Sequence, residues 1–523
     1  MYLEAFGVKN LRCLTDTGLV PIRPITLLVG RNSSGKSTFL RAFPLLRQSV
    51  ETARNSPVLW YDERYVDFGS LQAAANNRLS EPSVTFQFRL RLPAGADITL
   101  GDPVFDIAMT LEGGETPYVS SYDLRVEDNE VRWVFNAQSQ AQSLIVNGEI
   151  VDLSGPFSLG GKAYLLPTLQ RIDHGGASFQ AAPEIFRFDP VMYQTATDAG
   201  SLLLRVLADA LKKLFHSNDA SANIYSAAAL LRIGKRSAMR QQLLSTHKKL
   251  KKEVGDLDLE GDQLEAIAAR VVMRLSPFIL EAADLVLTQI MSRVSYLAPL
   301  RVSAQRAYRI QNLAVDEVEP DGKNLAMFLR SLSPTESRSF ADFTRAALGF
   351  ETQVKTTGLH AEILIKGGSA KRFVNLIDVG FGYSEVLPLA AILWSNCIRT
   401  STGQHVPAPL VAIEQPELHL HPAHQAKLAR MLVEAVSSSR AAGATAQLIV
   451  ETHSESLING LGKLVYEGLI KAEDIQIVLF DQDDETGDTS VRLAGYRENG
   501  ALHDWPYGFL SPVAERRVPP AAE

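Results

Sequence analysis

Gly30-Arg31-Asn32-Ser33-Ser34-Gly35-Lys36-Ser37 has the residue types and spacing that hold a polyphosphate, G-x-x-x-x-G-K-S. The glycines allow a tight turn, so that backbone N–H groups of Asn32, Ser33, Ser34, Gly35 and Thr38 can face an anion. Lys36 would place its charge on the β/γ-phosphates of a nucleotide such as ATP, and the Ser37 hydroxyl would ligate Mg2+. Such a pattern means something only between a strand and a helix. Upstream, Ile25-Thr26-Leu27-Leu28-Val29 reads as a buried strand; downstream, Thr38–Phe43 reads as a helix start. The positive end of that helix dipole adds to the anion site.

A phosphate loop needs an acidic strand to organise Mg2+ and the attacking water. Leu410-Val411-Ala412-Ile413-Glu414 supplies one, with Glu414 as the metal-facing acid. The next position, Gln415, carries an amide, which can orient water but cannot accept its proton. Glu417, three residues beyond Glu414, is either a candidate base or a carboxylate meeting a helix dipole. A second strand and polar loop, Gln447–Ser454, sets His453 at a carboxyl end, where parallel α/β sheets place ligands. His419 and His421 have the spacing of a metal pair, but they also suit a simple turn.

The elements that must position these groups alternate along the chain. From Ser83 the period is two, with Val84, Phe86, Phe88, Leu90 and Leu92 apolar, a half-buried antiparallel strand. Phe105–Leu111, Tyr118–Val126 and Val131–Phe135 continue it, and Asn147-Gly148 marks a two-residue hairpin. This β lobe is expected to run to about Phe188. Leu202–Phe215, Ala222–Ile233 and Gln263–Val294 read as helices, with Pro277 expected to break or kink the last. The basic piece 232–252 is either a solvated helix face or a contact to a nucleic-acid backbone. Val294–Leu297, Glu362–Ile365 and Phe373–Ile377 are further strands, and Leu410–Ile413, Gln447–Val450 and Ile475–Phe480 alternate with helices in a βαβ layout.

Bulk properties narrow the class. The chain has 523 residues and a net charge of -7, which argues against a wholly basic nucleic-acid coat but leaves room for a local basic patch. No long apolar run predicts a membrane span, and the N-terminus lacks the features of a signal peptide. Cys13 and Cys397 are the only cysteines, which argues against a disulfide framework and fits a cytoplasmic location.

The order of phosphate loop, long insertion, E-Q-P-E-L-H-L-H-P and E-T-H-S resembles the ABC-type ATPases related to the recombination protein RecF, to SMC proteins and to overcoming-lysogenization-defect (OLD) ATPases. Asn10-Leu11-Arg12 looks like that group's N-terminal segment, and Asp378–Glu385 like its signature segment. Tyr296–Arg301 and Asp504–Phe509 resemble ATPases of bacterial anti-phage defence systems, Septu-type ATPases included. The resemblance implies an α/β fold: an ABC-type P-loop ATPase head with an antiparallel β lobe and an inserted helical domain. The expected division is 1–190, 191–293 and 294–523. It also implies ATP sandwiched between two heads of a homodimer or higher oligomer, with Arg12 near nucleotide and Ser384 completing a partner's site. A separate nuclease effector, HNH-type, would follow from the defence resemblance.

Two other readings compete. A RecF-like repair ATPase would be told apart by its gene context or by DNA-stimulated turnover, and the sequence shows neither. An OLD-like nuclease would use Asp481-Gln482-Asp483, a D-x-D at a strand end. About seventy residues follow His453, and no strand ending in glutamate precedes the pair in the manner of a Toprim domain, so a polar turn before Val491–Leu493 is expected instead.

Overall fold

A computed structural model describes residues 3–506 apart from 93–98, 101, 152–156, 161–164, 172–197, 216–220, 247–260, 312–314, 369, 400–407 and 484. The chain divides into two units. One holds Met1–Val20, Leu45–Tyr61 and Asp67–Ser292; the other holds Pro21–Pro44, Asp62–Val66 and Arg293–Glu523.

The first unit is built on an antiparallel sheet. Its order is Glu149–Val151, Ala141–Val146, Asn129–Phe135, Tyr118–Val126, Val104–Glu112, Ser83–Arg91, Leu3–Leu11 and Leu14–Asp16. The period-two pattern works as read: Val84, Phe86, Phe88 and Leu90 are fully buried. Asn147 and Gly148 both take positive φ, 47° and 85°, as a two-residue hairpin turn requires. The end expected for this lobe, near Phe188, lies outside the described residues, as does the basic stretch from Lys248 to Lys252.

The helices of the same unit are Asp198–Phe215, Ser221–Leu230, Arg236–Thr246 and Asp262–Met291. Two expectations are corrected here. Ala222–Ile233 is not helical to its end: the helix stops at Leu230, and Ile233–Gly234 pairs as a short parallel strand with Thr99–Leu100. Arg274 donates to the carbonyls of Ala229 and Leu231, partners that a helix end lacks. Pro277 does not end its helix. Proline removes the N–H that would bond the Met273 carbonyl, but Ser276 Oγ donates to that carbonyl at 2.7 Å. Ser276 Oγ in turn accepts the indole N–H of buried Trp133 at 3.0 Å.

The second unit carries a seven-stranded sheet ordered Val294–Leu297, Leu410–Glu414, Gln447–Glu451, Ile25–Gly30, Ile475–Gln482, Thr489–Tyr496, Leu502–His503. The strands from Val294–Leu297 to Ile475–Gln482 are parallel, and those remaining are antiparallel. Helices Pro422–Ala441 and Glu455–Tyr466 fill the expected crossovers. The parallel strands read as near-continuous apolar runs because both faces are covered. Phe373–Ile377 is mostly not a strand. Only Val374–Asn375 pairs, because the Asn375 side chain accepts from Ile377 N and starts a 3-10 turn. Phe350–Thr357 and His360–Gly367 form an antiparallel hairpin beside it, the first of them unanticipated. Asp481 bonds Arg492, and Asp483 accepts backbone N–H groups of Glu485 and Thr486 at 3.0 and 2.6 Å. The D-x-D pair is thus part of a polar turn. Among the described residues no helix is long and apolar enough to cross a membrane.

Candidate nucleotide-binding site

The phosphate-loop strand Ile25–Gly30 lies between Gln447–Glu451 and Ile475–Gln482, so its loop opens at the carboxyl edge of the sheet. Gly30 has no room for a side chain. A Cβ there would lie 2.3 Å from the Phe480 carbonyl oxygen and 2.8 Å from Ser34 Oγ. Ser34, buried, donates to the Arg31 carbonyl at 2.8 Å and closes the loop on itself. Lys36 Nζ reaches the same carbonyl at 2.6 Å. Gly35 takes φ 90°, and the helix Lys36–Glu51 starts directly after it. The first N–H groups of that helix have no intrahelical acceptor and point toward the loop.

A cavity of about 650 Å³ lies here, lined by Asn32, Ser33, Gly35, Lys36, Ser37, Thr38, Gln415, Leu418, Glu451 and His453. Most of the residues expected to contact nucleotide are therefore brought together. Gln415 enters by way of an unusual backbone: its φ is 41°, and its N–H bonds the Glu451 carbonyl at 2.9 Å. This turns the side chain out of the strand direction, so that Nε2 lies 3.4 Å from Glu451 Oε1.

Glu414 and Glu417 lie behind the lining. Glu414 accepts from Arg41 Nε and Nη2 at 2.7 and 2.8 Å and from the Tyr296 hydroxyl at 2.8 Å. Burial pushes its carboxyl above the usual range, against the pull of Arg41. Glu417 accepts from the backbone N–H of His453 at 2.6 Å, and burial raises its carboxyl as well. A second tie holds the same loop to the helix Pro422–Ala441, since Ser454 Oγ donates to Gln425 Oε1 at 2.7 Å while capping its own helix. His453 is exposed on the cavity; partial desolvation of its ring, and then the Lys36 charge, hold the imidazole below its ordinary value. A neutral ring can both donate and accept.

Arg12, Ser384 and His419 are not among the residues that line this cavity. Arg12 belongs to the first unit, where it stacks 4.4 Å from the Phe68 ring centroid. Ser384 sits in the first turn of the helix Phe381–Trp394 and outside the cavity lining. The next residue, Glu385, is buried against Arg301 at 3.2 Å, which joins the two segments singled out by resemblance. His419 takes φ 60° in the turn after Glu417, and no group of three or more metal-ligating side chains exists among the described residues.

Three participants were not read from the sequence: Glu451, Arg41 and Tyr296. Glu451 had a signal, since it ends the strand next to the phosphate loop just as Glu414 ends its own. Arg41 and Tyr296 had none, because only folding brings them to Glu414.

The family model described as AAA ATPase domain matches residues 1–271 and 322–458. The chain belongs to that family. It is 34% identical over 131 residues to an OLD nuclease of Thermus scotoductus, and the match spans 24% of each chain. The SMC head domain from Thermotoga maritima superposes with a TM-score of 0.33 at 11% identity, covering 94% of this chain and 98% of that one. An SMC head bound to the C-winged helix domain of ScpA gives 0.32 at 11%, covering 94% and 97%. Superpositions this loose do not carry the assignment. The family match, the strand order and the phosphate loop make this an α/β P-loop ATPase head with an antiparallel lobe.

Proposed function

We propose that the chain binds Mg-ATP, pairs with a second copy around it, and hydrolyses it slowly. The convergence of Lys36, Ser37, Gln415, Glu451 and His453 on one cavity at the mouth of the phosphate loop carries this reading. Lys36 and the helix N-terminus would take the phosphates. The residues fit Mg2+ too, because a serine hydroxyl and a buried carboxylate oxygen without a hydrogen-bond partner among the described residues lie side by side at the loop. Mg2+, when bound, neutralises charge on the transferred phosphoryl group.

Gln415 would orient the attacking water, and neutral His453 would hydrogen-bond the γ-phosphate or that water. Glu417 holds the His453 loop in place through its backbone N–H. A proton acceptor is missing at the Gln415 position, which supports slow turnover and a long-lived bound state. A state of that kind suits a sensor that regulates a separate nuclease effector in anti-phage defence; the defence role rests on sequence resemblance alone. The match to the OLD nuclease favours a second reading, in which the head belongs to a nuclease system of that type.

Lys36→Ala tests the site. Calorimetry should show ATP affinity reduced about ten- to a hundredfold, the worth of roughly 1.5–3 kcal/mol for a charged hydrogen bond. Light scattering of the wild-type chain with ATP should show a dimer, and mixing Lys36→Ala with Ser384→Arg chains should restore at most one working site per pair. Unchanged affinity in Lys36→Ala, or a strict monomer with full activity, would sink the reading.

A further inference from the structure

We propose that Glu451 is the carboxylate that faces the divalent cation in this cavity, and that Glu414 is a positioning residue held back from it. The inference rests on the Mg-ATP reading above and assigns a residue within it.

Glu451 is 1% exposed and nevertheless lines the cavity. Its two oxygens differ. Oε1 accepts from Ser37 Oγ at 2.9 Å and lies 3.4 Å from Gln415 Nε2. Oε2 is buried with no hydrogen-bond partner among the described residues. A buried carboxylate oxygen without a partner is costly, and a cation offsets that cost directly. The Ser37 bond has a chemical direction: the hydroxyl spends its one proton on Glu451, so its lone pairs stay available to a metal. Ser37 and Glu451 thereby form a matched pair of oxygen ligands. Mg2+ needs no more from protein, since it takes one or two carboxylates and fills the rest of its shell with phosphate oxygens and water. This agrees with the absence of any larger cluster of ligating side chains among the described residues.

Glu414 is placed differently. Both its oxygens accept from Arg41, and one also accepts from Tyr296. A carboxylate so engaged would have to break charge-assisted bonds before reaching a cation. Strand register shows how the two are related: Glu414 and Glu451 are partners across adjacent parallel strands. Glu451 is the one next to the phosphate-loop strand.

The test measures binding, not turnover. A fluorescent ATP analogue is titrated into the full chain with EDTA, with Mg2+, and with Mn2+, the last also followed by electron paramagnetic resonance. Glu451→Gln should bind nucleotide in EDTA as wild type does, but lose about tenfold or more of its Mn2+ affinity. Glu414→Gln should keep the wild-type metal dependence. Glu451→Asp retains the charge on a shorter arm and should fall between the two, which covers the case of a poorly folded amide variant. Wild-type metal dependence in both Glu451 variants, or its loss in Glu414→Gln alone, would overturn the assignment. A Lys36→Ala chain that binds the analogue as well as wild type does in EDTA would overturn the underlying nucleotide reading as well.

Discussion

Glu414 and Glu451 end adjacent parallel strands as register partners, yet they face different chemistry. One is clamped by Arg41 and Tyr296; the other accepts a hydrogen bond from the Ser37 hydroxyl at the mouth of the phosphate loop. Both are buried, so it is their partners that set them apart: a buried carboxylate is stable only when it is paired.

The clamp on Glu414 should be costly to break. Arg41→Met removes both charged donors and leaves a carboxylate that is 2% exposed. We expect a loss of about 3 kcal/mol in denaturant unfolding. Adding Glu414→Gln to Arg41→Met should recover part of that loss, because the uncompensated charge is gone. Equal stabilities for the single and double variants would show that Arg41 acts through packing only.

Turnover should respond to Gln415. Gln415→Glu restores a proton acceptor on a residue that lines the cavity, and steady-state phosphate release should rise by up to about 10²-fold. Its cost is repulsion from Glu451, so the gain should require saturating Mg2+. Glu417→Gln keeps an acceptor for the His453 N–H and should leave turnover within a few-fold. A drop of about 10²-fold in that variant would give the base role to Glu417.

In the first unit, Ser276→Ala removes one hydroxyl and strands two groups, the indole N–H of Trp133 and the Met273 carbonyl below Pro277. Thermal and denaturant unfolding should show a loss of about 1–3 kcal/mol. A loss under about half a kilocalorie would mean that water or another donor replaces the hydroxyl.

Asp284 should make the first unit sensitive to pH. It accepts the Leu166 N–H at 2.6 Å, and burial raises its carboxyl from 3.8 to about 7. A carboxyl raised on folding takes up a proton as the chain folds. Its contribution is therefore fully present below pH 3.8 and is lost as pH rises to about 7. The difference amounts to at most about 4 kcal/mol. Asp284→Asn should flatten the stability profile between those limits, measured as the difference from wild type in denaturant melts. Parallel profiles would show that the group titrates normally.

Much of the head was legible because its signals are local. A glycine loop after an apolar run, an apolar run ending in glutamate and a period-two strand each carry their meaning within a few residues. Gln415 was legible by type but not by backbone; nothing in the sequence announces a left-handed glutamine before a proline. The break expected at Pro277 does not occur, for a related reason. The rule that proline ends a helix holds unless another donor serves the freed carbonyl, and that donor, Ser276, is itself supported by Trp133 from a distant strand. Glu451 was passed over because His453, two residues on, carries the more familiar chemistry. Arg41 and Tyr296 meet Glu414 only through the folded sheet.

The phosphate-loop strand also sets an order of events during synthesis. Ile25–Gly30 is the first of the parallel strands to be made, but its two neighbours in the sheet, Gln447–Glu451 and Ile475–Gln482, come last among them. At about 5–20 residues per second the loop waits tens of seconds without either flank. Its apolar strand is then an unpaired edge, open to wrong partners. Glu451 and His453 arrive with the first of these late strands, so the lining of the cavity is incomplete on a shorter nascent chain. The cavity at the phosphate loop therefore closes only after both of those strands have been made.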